Sequence, residues 1–194
     1  MISDAMPVAP RRVRTEELKS AGLRVGEKIL LTGTVYTARD AAHKRISALL
    51  DAGEPTPFPI EGAVIYYAGP TPAPPGKVIG SCGPTTSGRM DPYAPRLLDL
   101  GLAGMIGKGE RSKAVQDAVA RNGAVYLCAV GGAGALVSRC IKSLEVIAFE
   151  DLGCESVKRL YVEDLPLVVC NDAAGGDLFS QGRAAWCKTA EGAV

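Results

Sequence analysis

The sequence predicts an α/β layered domain with a mixed sheet system. Strand-like and helix-like segments alternate through the middle of the chain, and short strand-like segments cluster towards both ends. No internal repeat or low-complexity block interrupts them. A length of 194 residues with 47% hydrophobic side chains suits one domain with a full core.

Residues 1–14 carry Pro and Arg without periodicity and read as an extended arm. In TEELKSAGL (15–23), Thr15 and two glutamates make a short helix signature that Gly22 ends. EKILLTGTVYTA (27–38) is rich in β-branched and aromatic residues and reads as a strand. RDAAHKRISALLDAG (39–53) sets Ala42, Ile46, Leu49 and Leu50 at helical spacing, with Gly53 as the stop. AVIYYAGP (63–70) and KVIGSCGP (77–84) read as strands separated by a proline loop. A helix is entered at Ser87 or Gly88, and Pro92 and Pro95 confine its regular part to the C-terminal half of 89–101. LAGMIGKG (102–109) is strand-like, ERSKAVQDAVARNG (110–123) is an amphipathic helix, and AVYLCAVGGAGA (124–135) is a strand meeting a glycine turn. Beyond KSLEVIAFEDLG (142–153), the segments 157–166 and 167–179 read as two short strands parted by Pro166. The domain therefore spans residues 15–180, and 181–194 form a tail in which Trp186 is expected to fold back onto the body.

The formal charge of +1 leaves no electrostatic footprint for nucleic acid or an anionic membrane. No apolar run approaches the roughly 18–20 residues that cross a bilayer. The first residues lack the apolar centre of a signal peptide, which points to the cytoplasm. The six cysteines contain no Cys-x-x-Cys pair, so they read as buried reduced thiols, and the single His43 excludes a multi-histidine metal site. No metal site is expected within this chain. The glycine run GGAGAL (131–136) does not fit a dinucleotide fingerprint, and a tight turn accounts for it better.

Polar and cationic residues stand just after predicted strands: Arg39 in YTARDAAHK, Thr85 and Arg89 in GPTTSGRMD, and Lys108 in MIGKGERS. In α/β sheets such loops converge on the ligand crevice, and an Arg fork matches a carboxylate while Lys adds a point charge. Each residue also has a plainer reading. Arg39 pairs with Asp40 on the surface; Thr85 and Thr86 serve as turn residues or caps; Lys108 is a solvated loop lysine; His43 is structural. Glu110 and Arg111 are placed in the first turn of an exposed helix. No Ser-His-Asp set and no carboxylate pair stands out, so the chain reads as a substrate clamp without an engine.

The segments GTVYTARDAAHKRI, GSCGPTTSGRMDPY, GMIGKGERS, VGGAGAL and EDLGCESVKRLYVEDLPLVV together resemble the β subunit, or C-terminal domain, of iron–sulfur hydro-lyases, the group of class I fumarase and L(+)-tartrate dehydratase. The resemblance runs from about residue 15 to 180. It implies a swivelling β/β/α domain of the fumarase C-terminal type. It also implies a [4Fe–4S] cluster held by a partner α subunit and not by this chain, and reversible hydration of a C4 dicarboxylate. Fumarate and malate are expected first, with tartrate as the alternative. A stand-alone dicarboxylate-binding module is the reading from another class. By the same resemblance Arg39, Arg89 and Lys108 bind substrate carboxylates and Thr85 lies near the reacting carbon as candidate proton acceptor. Asp91 is expected to orient Arg89, His43 to support Arg39, and Thr86 to flank the site. The expected assembly is with the α subunit, as α2β2 or around a homodimer of this chain.

Overall fold

The computed structural model describes residues 9–187. Its first strand, β1 (Arg11–Arg14), runs parallel to β2 (Lys28–Thr37). Along β2 a buried row (Ile29, Leu31, Val35) alternates with a half-buried one, the period of a strand with unequal faces. Helix α1 (Asp40–Ala52) leads to β3 (Val64–Tyr66), and a 3₁₀ turn at Ser87–Met90 followed by α2 (Ala94–Asp99) leads to β4 (Gly104–Gly107). Helix α3 (Lys113–Arg121) then leads to β5 (Val125–Cys128). The chain continues through α4 (Gly134–Cys140), β6 (Ile141–Ala148), a 3₁₀ segment at Glu150–Glu155, β7 (Val157–Asn171) and α5 (Leu178–Trp186).

The strands form one 7-stranded mixed sheet with helices beside it. Strands β1 to β5 are parallel neighbours in sequence order, and β7 is antiparallel to β2, β5 and β6. Because β2 pairs with both β3 and β7, the series β2–β3–β4–β5–β7 closes into a ring. Two buried clusters follow from the strand period of two. Val64, Tyr66, Ile106, Val125 and Leu127 join Leu31, Val35, Leu160 and Val162 on one face. Their alternates Ile65, Tyr67, Met105 and Tyr126 pack against Ala42 and Ile46 of α1, Leu97 and Leu98 of α2, and Val115 and Val119 of α3. The helical layer therefore covers one face of the parallel strands and leaves their carboxyl edge open.

Several expectations are corrected. The segment 77–84 is not a strand. Its backbone is satisfied piecemeal: Thr71 N donates to Ser81 O (3.0 Å), Cys82 N donates to Gly134 O (3.1 Å), and the Tyr66 hydroxyl donates to Cys82 O (2.7 Å). The strand expected on each side of Pro166 is a single strand. Pro166 falls between the stretch paired with β6, which reaches Val162, and the stretch paired with β5, which begins at Val168. On that edge its missing N–H interrupts no ladder. Arg11–Arg14, assigned to an arm, belong to the sheet, and α5 crosses the boundary drawn at residue 180. Trp186 is 85% exposed and does not fold onto the body. Residues 1–8 and 188–194 of the arm and tail lie outside the described residues. Among those described, no helix is long and apolar enough to cross a membrane.

Candidate functional site

Parallel pairing puts the carboxyl ends of β2, β3, β4 and β5 on one edge. Arg39 leaves the end of β2, Tyr67–Gly69 the end of β3, Lys108 the end of β4, and the Gly131–Gly132 turn follows β5. The Thr85–Arg89 segment is laid across this edge. Thr85 N donates to Tyr67 O at 2.7 Å, Ser87 N donates to Lys108 O at 2.9 Å, and Thr86 forms a parallel bridge with Lys108. Lys108 N returns a bond to Ser87 Oγ at 3.1 Å, and Tyr126 Oη stands 2.8 Å from both Ser87 Oγ and Gly109 O. With one proton per hydroxyl, Tyr126 donates to the Gly109 carbonyl and Ser87 donates to Tyr126. A Cβ on Gly107 would lie 1.9 Å from Ser87 Oγ, so the motif can dock here only against a glycine.

The two arginines meet at one carboxylate. Arg89 donates through Nε and Nη2 to Asp40 Oδ1 and Oδ2 at 2.8 and 2.6 Å, a bidentate fork. Arg39 Nη2 lies 3.9 Å from the same Asp40 and 3.3 Å from Glu155 Oε1. The Arg39 side chain lies close against Gly69: a Cβ there would come within 2.9 Å of Nη1. Arg39 is mostly buried and Arg89 is half exposed at 50%. Lys108 is exposed, and its Nζ lies 3.8 Å from where a Gly131 Cβ would stand. The 3₁₀ turn at Ser87–Met90 joins the arginine cluster to the lysine loop. Arg39, Arg89 and Lys108 thus stand along one open edge, with Asp40 and Glu155 beside the two arginines. A cavity of about 630 Å³, lined by 76–81, α4 and the start of β6, contains none of the predicted site residues.

Two supporting contacts differ from expectation. Asp91 does not touch Arg89, whose partner is Asp40. Asp91 instead accepts from Arg111 Nε (2.7 Å) and Ser112 N (2.6 Å). Arg111 is not on an exposed helical turn. Ser112 takes the N-cap position of α3 without a side-chain capping bond, so Arg111 lies before the helix, and it is 4% exposed. Its guanidinium lies over the rings of Tyr126 (4.9 Å) and Tyr67 (5.3 Å), where cation–π attraction compensates part of its desolvation. Ser112 was a signal that could have placed Arg111 before the helix, but nothing local signalled its burial. Glu155, 116 positions beyond Arg39 by number, gave no local signal at all.

His43 is buried, edge-on to Tyr67, and its Nδ1 lies 2.9 Å from the Arg39 carbonyl. Burial drives its pKa down from 6.5 to about 4, opposed by that hydrogen bond, so the neutral ring donates Nδ1–H to Arg39 O. It holds the Arg39 backbone, not the guanidinium. Burial also raises the Tyr67 and Tyr126 hydroxyls, which stay protonated: Tyr126 donates to Gly109 O, and Tyr67 accepts from Arg111 Nη2 at 3.5 Å. All six cysteines are free, but Cys154 and Cys187 are exposed, contrary to the expectation of buried thiols throughout. Among the described residues no three His, Cys, Asp or Glu side chains gather closely enough for a metal ion.

A family model described as Fumarase C-terminus matches residues 6–182. "Fumarate hydratase class I, anaerobic" of Escherichia coli is 43% identical over 81% of this chain and 29% of its own length. "Fumarate hydratase 2" of Leishmania major is 42% identical over 81% of this chain and 28% of its own length. A Methanocaldococcus jannaschii protein provisionally named L(+)-tartrate dehydratase subunit beta is 35% identical over 82% of this chain and 85% of its own length. This chain thus spans less than a third of the fumarate hydratases it matches, but most of the length of the β subunit.

Proposed function

Since the chain belongs to the Fumarase C-terminus family, we propose that it is the β subunit of a two-subunit hydro-lyase, supplying the cationic clamp for a C4 dicarboxylate in a swivelling β/β/α domain. The Arg39–Asp40–Arg89 cluster beside Lys108 carries this reading, because a rim of forked and point cations is the chemistry a two-ended acid requires. Fumarate and malate are the substrates favoured by the names of its relatives; tartrate is the alternative that the M. jannaschii relative supports.

The described residues do not fit a [4Fe–4S] cluster, and that cofactor is placed on an α subunit. What remains for this chain is binding and proton chemistry. Arg39 and Arg89 grip one carboxylate and Lys108 meets the other end, so the substrate's reacting carbons are fixed between them. Charge that develops on a carboxylate as the C3 proton leaves is stabilised by these preorganised cations. Thr85 is assigned beside C3 as the proton acceptor. A free threonine hydroxyl is a weak base, so this role depends on the positive field around it.

The free thiols suit a reducing compartment, in keeping with a cytoplasmic enzyme. The test is steady-state turnover of fumarate, malate and both tartrate stereoisomers, by this chain alone and after assembly with a cluster-bearing partner. The reading expects activity only in the assembly. Turnover by the isolated chain without iron would overturn it, and tight dicarboxylate binding by the isolated chain would favour the stand-alone module.

A further inference from the structure

Lys158 is 6% exposed, yet its ammonium meets neutral oxygens rather than a counter-ion. Nζ lies 3.1 Å from Gly153 O, 3.2 Å from Cys154 O, 3.2 Å from Ser156 O and 2.7 Å from Ser156 Oγ. Burying a cation among carbonyls is costly, and burial accordingly depresses its pKa. A core that needed only stability would do as well with an apolar side chain. The arrangement does give one loop a single shape. The carbonyls belong to residues on both sides of Glu155, at a turn where Gly153 takes a positive φ of 56°.

Glu155 is the residue that this loop presents to the rim. Its Oε1 lies 3.3 Å from Arg39 Nη2, and its Oε2 accepts from Ala41 N at 3.2 Å, so it grips the first turn of α1 and the guanidinium together. The loop reaches Arg39 from a second side as well: Cys154 O lies 3.4 Å from where a Cβ would stand on Gly69, the glycine against which Arg39 packs. Thr37, at the end of β2, ties the same loop down by donating its hydroxyl to Ser156 O at 3.2 Å.

We propose that Lys158 is a positioning residue for Arg39: by gathering the Gly153, Cys154 and Ser156 carbonyls it fixes Glu155, and through Glu155 the guanidinium that faces the substrate. The proposal rests on reading Arg39 as a carboxylate ligand. Two readouts keep the two ideas separable.

The first needs no activity. In the ¹⁵N-labelled chain the Arg39 Nε–H signal is identified by its loss in Arg39→Lys. Lys158→Gln is expected to shift or broaden that signal while leaving the Arg121 Nε–H, paired with the distant Asp99, in place. The second is kinetic, in the assembled enzyme: Lys158→Gln raises KM for the dicarboxylate about tenfold with kcat nearly unchanged. Glu155→Gln does the same, and the double variant is no worse than either single one. An Arg39 signal that stays put, or fully additive KM effects, overturns the proposal. A merely structural lysine would disturb Arg121 along with Arg39 and lower kcat with KM, which also overturns it. If Lys158→Gln does not fold, Lys158→Met keeps the buried stem, removes only the ammonium and is expected to move the Arg39 signal the same way; an unmoved signal there decides against Lys158. A wild-type assembly without hydro-lyase activity would sink the proposed function but leave the Arg39 signal to decide on Lys158.

Discussion

At Arg89, two guanidinium nitrogens are already committed to Asp40, so the side chain is oriented before any substrate arrives. A lysine at this position keeps the charge but loses the fork. Arg89→Lys is therefore expected to lower kcat/KM by roughly one to three orders of magnitude in the assembled enzyme, with folding intact. Wild-type kcat/KM would remove Arg89 from the site. His43 makes a prediction about stability. Its folded pKa of about 4 lies below the unfolded 6.5, so the fold favours the neutral ring. The stability this contributes is fully present above 6.5 and is lost as pH falls towards 4, up to roughly 3 kcal/mol. Unfolding midpoints measured between pH 7 and 4 should fall in the wild type and fall less steeply in His43→Gln. The placement of Arg39, Thr85, Arg89 and Lys108 along one edge of the sheet was legible in the sequence, because each was read just beyond a strand or at a turn. Asp40 was legible only as a rival partner, and Glu155 and Lys158 were not legible, since nothing local ties 155 or 158 to residue 39.

Between elements, the buried Arg111–Asp91 pair fastens the Ser87–Met90 turn to the loop that leads into α3. Arg111 is fully enclosed and Asp91 nearly so, which makes loss of one partner far more damaging than loss of both. Arg111→Met should destabilise the chain by roughly 3–5 kcal/mol in urea denaturation, and adding Asp91→Asn should recover part of that. Equal losses in the single and double variants would show that packing on Tyr67 and Tyr126 dominates instead. Most helices and the parallel strands could be read from spacing and glycine stops, as at 39–53 and 110–123. The errors lay where backbone groups find partners far away in sequence. The 77–84 segment has strand-like residues, but its bonds go to Thr71, Gly134 and Tyr66 instead of a neighbouring strand. Pro166 looked like a break because the gap between β6 and β5 that tolerates it exists only in the closed sheet.

For the whole molecule, closing β2 through β7 into a ring fixes the carboxyl ends of four parallel strands on one edge, and that edge carries the cations. The rim is open, and its own carboxylates, Asp40 and Glu155, offset part of its charge. Dicarboxylate binding by this chain alone should accordingly be weak, and a covering partner would strengthen each contact by excluding water. The central claim is that Arg39, Arg89 and Lys108 act as one clamp on both ends of the acid. The inhibition constant of succinate, a C4 dicarboxylate that cannot be hydrated, tests it in the assembled enzyme. Arg39→Ala, Arg89→Ala and Lys108→Ala should each raise that constant by about tenfold or more. Constants unchanged from wild type in folded variants would contradict the clamp.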